Sequence, residues 1–76
     1  MNSPPKDASS QSKQLLALKA VCETRFEYLK KENGLGEACG SVLRYLEAWK
    51  EKWCKDWPEA KAFVRLLEEY YKEMIR

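Results

Sequence analysis

The sequence predicts an all-α fold, a small antiparallel three-helix bundle. Three observations carry this. Apolar residues recur at helical spacing in three segments of similar length, short Gly- or Pro-marked breaks separate them, and no segment alternates as a strand does. The same pattern admits one alternative, a helical hairpin plus an arm that a second copy completes.

The third segment is the cleanest. From Ala60 to Ile75, placing residues at 100° steps gathers Phe63, Val64, Leu66, Leu67, Tyr70, Tyr71, Met74 and Ile75 on about half the circumference. Charged residues fill the rest. An arc this wide predicts more than one packing neighbour. Its start reads Asp56-Trp57-Pro58-Glu59, where Asp56 and Glu59 suit a capping box and Pro58 suits the first turn.

The first segment runs from about Ser12 to Asn33, with Leu15, Leu18, Cys22, Phe26 and Leu29 as its stripe. Gly34 ends it by supplying a backbone conformation that side chains disfavour, with Leu35 folding back as a hydrophobic contact. Lys30 and Lys31 sit in the last turn, where the helix dipole favours cations. The second segment spans about residues 37 to 55, its start assigned either to Gly36 or to Ser41 as cap. Its stripe is Cys39, Val42, Leu46, Trp49 and Trp53, widened by Ala38, Leu43 and Trp57. Glu27–Lys31, Glu51–Lys55 and Glu68–Lys72 stand four apart, in the better orientation for helix ion pairs. Residues 1–11, MNSPPKDASSQ, predict a disordered tail before a single helical domain over 12–76, with helices at about 12–33, 37–55 and 57–75.

All three tryptophans fall in WKEKWCKDWP, residues 49–58. On the helix wheel Trp49, Trp53 and Trp57 step by about 40°, inside the arc of Val42 and Leu46. Lys52 and Lys55 point to other faces, and Lys50 lies within the arc near Leu43. Trp49 and Trp53 are therefore expected in the core. Trp57, past the last turn of the second helix, is expected to plug the bundle end or show an edge to a partner, and its truncation to cost less stability than that of Trp53.

Several functions are disfavoured by residue counts. There is no histidine, the commonest general base. The carboxylates fall on charged faces, away from any apolar cleft that would raise a pKa. Three cysteines, Cys22, Cys39 and Cys54, stand far apart with no CxxC pair, which suits neither structural zinc nor a disulfide framework. They read as reduced, small apolar residues, and Cys54 beside Lys55 is the one weak candidate for a reactive thiol. Gly34, Gly36 and Gly40 lack both the GxGxxG spacing and the preceding strand of a dinucleotide site. The expectation is no enzyme, no catalytic residue, no metal site and no cofactor. The N-terminus lacks the apolar region of a secretory signal, and nothing approaches a membrane span. An intracellular, reducing compartment, the cytoplasm first, is expected, with no membrane partner.

Net charge is +2. Residues 37–56 carry four basic and four acidic side chains, and residues 57–76 also four and four, so the surplus lies in the first helix. A basic face there, with Lys19, Lys30 and Lys31, defines the alternative reading, a nucleic-acid-binding accessory protein. The principal expectation is a non-enzymatic protein–protein interaction module: an adaptor, assembly subunit, regulator or inhibitor, open also to self-association. Its candidate contact residues break the helical pattern: Leu16, Arg25, Tyr28, Leu35, Tyr45 and Trp57, residue types that suit an interface rim. A chain this short buries only ~60% of its unfolded surface, so its core alone is marginal.

Overall fold

The computed structural model describes residues 8–75, and they form three α-helices. These are α1 (Ala8–Asn33), α2 (Leu35–Trp53) and α3 (Pro58–Met74). Neighbours in sequence pack antiparallel, and no strand occurs among the described residues. None of these helices is long and apolar enough to cross a membrane. Residues 1–7 of the expected tail lie outside the described residues. Residues 8–11 are helical, so α1 starts earlier than its apolar stripe implies. Ser, Gln and Lys tolerate a helix once Pro5 is passed.

α1 sets the length of the molecule. Its 26 residues correspond to ~39 Å at the helical rise, and the long axis is 38 Å. α2 and α3 are shorter, and the first buried residue of α1 is Leu18. Leu15, one turn earlier, packs against the edge of the core.

One residue makes the α1–α2 turn. Gly34 has φ 96° and ψ 168°, a region essentially reserved for glycine. Its N–H donates to the Lys30 carbonyl at 3.0 Å, and its own carbonyl accepts from Ala38 N–H at 3.1 Å. It thus closes α1 and opens α2. Neither Gly36 nor Ser41 caps α2, because the chain reverses at the first residue that permits it. Leu35 does not fold back into the core and remains exposed.

The α2–α3 turn also differs from expectation. Trp57, not Asp56, is the N-cap of α3, and no side chain caps it. Pro58 accounts for this: a proline disfavours the α-region for the residue before it, leaving Trp57 extended at φ −139°, ψ 80°. That geometry turns the indole inward. Trp57 is 2% exposed and is the largest fully buried side chain, whereas Trp49 and Trp53 are half-buried. The ranking of the tryptophans is thus the reverse of the periodic reading, and Trp57 offers no edge to a partner.

The core follows the stripes elsewhere. Leu18, Cys22 and Phe26 from α1 meet Cys39, Val42 and Leu46 from α2, with Ala60, Val64 and Tyr71 from α3. Phe26 and Tyr71 join the outer helices, ring centroids 5.4 Å apart. Across the α2–α3 seam, Lys50 Nζ lies 3.3 Å from Glu47 and 3.5 Å from Glu68. Among the described residues, Lys50 pairs with Glu47 and Glu68, Lys19 with Glu23, and Arg44 with Glu37, rather than Glu27, Glu51 and Glu68 with the lysines four residues on.

Candidate functional site

α3 does not bury its whole apolar arc. Val64 and Tyr71 are buried, but Leu66 is 70% and Tyr70 58% exposed. α3 packs chiefly on α2 and touches α1 at few places. The two outer helices part to leave a trough of about 640 Å³. Phe26, Phe63, Leu67 and Met74 line it, with Leu66 and Tyr70 on its α3 flank and Lys19, Glu23 and Glu27 on its α1 flank. Tyr70 stands edge-on to Tyr71 at 5.1 Å, which braces its ring against the floor. The Tyr71 phenol is pushed up to about 12 by burial first, then by neighbouring negative charge, so this floor stays neutral at ordinary pH.

A second surface lies on the other side of α1. Ala20, Val21, Thr24, Arg25, Tyr28 and Leu29 line one shallow depression. A second, between α1 and α2, is lined by Val21, Tyr45, Trp49, Lys52 and Trp53 among others. Val21 belongs to both, so they form one strip. Lys52 faces the same groove as Trp49 and Trp53, which corrects the reading that placed it on another side. The seam between antiparallel helices is narrow, and a side chain 60° off the stripe still reaches its edge.

The sequence-predicted contact residues divide between these places. Arg25, Tyr28 and Tyr45 come together on the α1–α2 strip. Arg25 donates from Nη1 to Ser41 Oγ at 3.2 Å, and its guanidinium lies 5.1 Å from the Tyr45 ring centroid. Leu16, 62% exposed, shares a helical face with Glu23 and Glu27 below the trough. Leu35 stands apart at the α1–α2 turn. Trp57 is core. Leu66 and Tyr70 were assigned to the buried arc by periodicity alone. The excessive width of that arc was the signal for their exposure.

The three lysines do not gather into one basic patch. Lys19 pairs with Glu23 at 3.7 Å. Lys30 sits 5.7 Å from the Phe26 ring centroid. Lys31 follows Lys30 directly and so points about 100° away.

The thiols are protonated and enclosed. Cys22, Cys39 and Cys54 are all free and buried. Burial pushes the Cys22 thiol up to about 11, against a lowering by Arg25. Burial also raises Cys39, and it raises Cys54 despite the lowering charges of Lys50 and Lys61. No thiolate is thereby activated. Among the described residues no group of three His, Cys, Asp or Glu could hold a metal ion.

The fold and its surfaces define a helical bundle with two apolar faces beside α1. The chain matches no protein-family model, and no curated protein or solved structure matches it.

Proposed function

We propose that this chain is a small helical protein–protein interaction module whose principal docking surface is the trough between α1 and α3. The observation that carries it is the exposure of Leu66 and Tyr70 over a floor of Phe26, Phe63, Leu67 and Met74. A contiguous apolar face rimmed by polar groups marks an interaction surface. Phe26 and Tyr71 pack on each other in its floor, which supports a formed site that a partner would meet with little ordering cost. An open trough between two helices suits a helical ridge, the helix-in-groove mode.

The test is affinity capture from the native source with the full chain as bait, beside a Leu66→Asp, Tyr70→Asp double variant. Both substituted residues are exposed, so the variant should melt within a few degrees of the wild type. The wild type should retain a defined partner that the variant loses. Equal recovery by both baits would sink the assignment of this surface. Light scattering on the bait alone separates a foreign partner from self-association.

A further inference from the structure

We propose that the α1–α2 strip is a second, independent docking site, and that its occupant is an acidic amphipathic helix of a partner protein. The argument begins with charge. Among the described residues, Arg25 and Lys52 are the only charged ones that line the two depressions, and no carboxylate lines either. Neither cation is held in a salt bridge among the described residues. This contrasts with the trough on the other side of α1, where Glu23 and Glu27 line the wall.

Arg25 is also pre-positioned. Its hydrogen bond to Ser41 and its stacking on Tyr45 fix the guanidinium over the α2 side of the strip. One N–H is used there, and an arginine has five, so donors remain for a carboxylate. The rest of the strip is apolar. Val21 and Tyr28 are exposed, and Trp53 is half-buried at the other end. The lining runs from Gln14 to Leu29 along α1, ~22 Å of helix, which matches about four turns of a docked helix. An apolar ridge flanked by Asp or Glu fits this surface on both counts.

Other occupants fit less well. Residues 1–7 offer one lysine and one aspartate and no apolar run. A two-fold pairing of the strip with itself would set Arg25 and Lys52 against their own copies. Nucleic-acid affinity grows with the number of phosphates neutralised, and two cations neutralise few. Base stacking wants open ring faces, whereas Trp49 and Trp53 pack on each other at 6.2 Å and are half-buried.

The test uses the full chain and two synthetic helical peptides that share one leucine ridge, flanked by Glu in one and by Lys in the other. Isothermal titration and amide chemical-shift mapping read the result. The Glu-flanked peptide should bind, shift Val21, Tyr28, Tyr45 and Trp53, and weaken with salt. The Lys-flanked peptide should bind at least about tenfold more weakly, since two attractive rim contacts become repulsive. Lys52→Glu alone should level the preference, since it leaves one cation and one anion on the strip, and Arg25→Glu with Lys52→Glu should reverse it. Arg25 also braces α2, so the Lys52→Glu variant keeps the test valid if the double variant unfolds. Leu66→Asp with Tyr70→Asp should leave this binding unchanged, which separates the strip from the trough. Equal affinity for both peptides, no binding of either, or shifts confined to the trough would overturn the proposal. So would tighter binding of a single-stranded oligonucleotide, or self-association that Lys52→Glu abolishes.

Discussion

The indoles of Trp49 and Trp57 pack with ring centroids 6.1 Å apart and planes at 43°. The contact closes the end of the bundle, because Trp57 hangs from the α2–α3 turn and Trp49 from the last turns of α2. Trp57 carries the larger share of burial, at 2% exposed. Trp57→Ala should therefore cost ~3–5 kcal/mol, the range for large core aromatics. Trp53→Ala should cost clearly less. Urea unfolding of the two variants checks the order. Trp57 Nε1 is buried without a hydrogen-bond acceptor, and an orphaned donor costs ~1–3 kcal/mol. Trp57→Phe removes that donor, so it should cost much less than Trp57→Ala.

This end of the bundle shows where sequence stops being legible. Periodicity placed Cys39, Val42 and Leu46 in the core, and all are fully buried. It did so because their direction is fixed by regular backbone. Trp57 lies outside a helix, where direction depends on one φ/ψ pair that Pro58 sets. Leu66 and Tyr70 failed for another reason. A helix wheel shows which residues share a face, but it does not show which neighbour covers that face. Arg25, Tyr28 and Tyr45 were found as exceptions to the pattern. That Ser41 and Lys52 share the Arg25 side of the molecule depended on how α1 and α2 pair, which no single helix encodes.

The glycines should respond to alanine with opposite signs. Gly34 has φ 96°, and a Cβ there would meet nothing within 4 Å, so the strain is in the backbone alone. Gly34→Ala should cost ~1–3 kcal/mol. Gly36 lies inside α2 with the same open space, and at Gly40 a Cβ would make only ordinary contact with Arg44 Nη1 at 3.6 Å. Each should stabilise the helix by ~0.4–1 kcal/mol when changed to alanine. Thermal melts of the three single variants decide this. A Gly34→Ala protein as stable as Gly36→Ala would mean that the turn is not built on Gly34.

Lys50 should matter more than any other ion-paired lysine. It is half-buried and bridges α2 to Glu68 on α3, while Lys19 and Glu23 lie on an open surface. Lys50→Ala leaves the well-enclosed Glu68 carboxylate without its cation, at a cost of ~1–2 kcal/mol. Lys19→Ala should stay within ~0.5 kcal/mol of the wild type. Salt gives a second readout: added salt should narrow the gap only slightly, because a partly enclosed pair is weakly screened.

Stability should fall in alkali, and the sign follows from the thiols and the phenol. Cys22 deprotonates near 9.0 when unfolded and near 11 when folded, since burial penalises its thiolate. Between those values the folded chain holds the extra proton, so raising pH favours unfolding. This contribution is complete below pH 9 and gone above pH 11. Two units correspond to ~2–3 kcal/mol. Tyr71, raised from 10.0 to about 12, acts in the same direction over a higher window. Lys50 adds to it: the hydrogen bond from its ammonium to Glu47 raises it above 10.5, and that stabilisation is lost once the amine is neutral. Urea midpoints should hold steady from pH 7 to 8.5 and drop between 9 and 11. Cys22→Ala should lower the midpoint at pH 7 by leaving a cavity, yet flatten the fall above pH 9. Thiol labelling at pH 8 gives an independent check. All three cysteines should react slowly in the folded chain and rapidly in urea, because each is both enclosed and protonated. Fast labelling of Cys54 in the folded chain would show that its burial is transient, and a midpoint that is flat to pH 11 would show the same for Cys22.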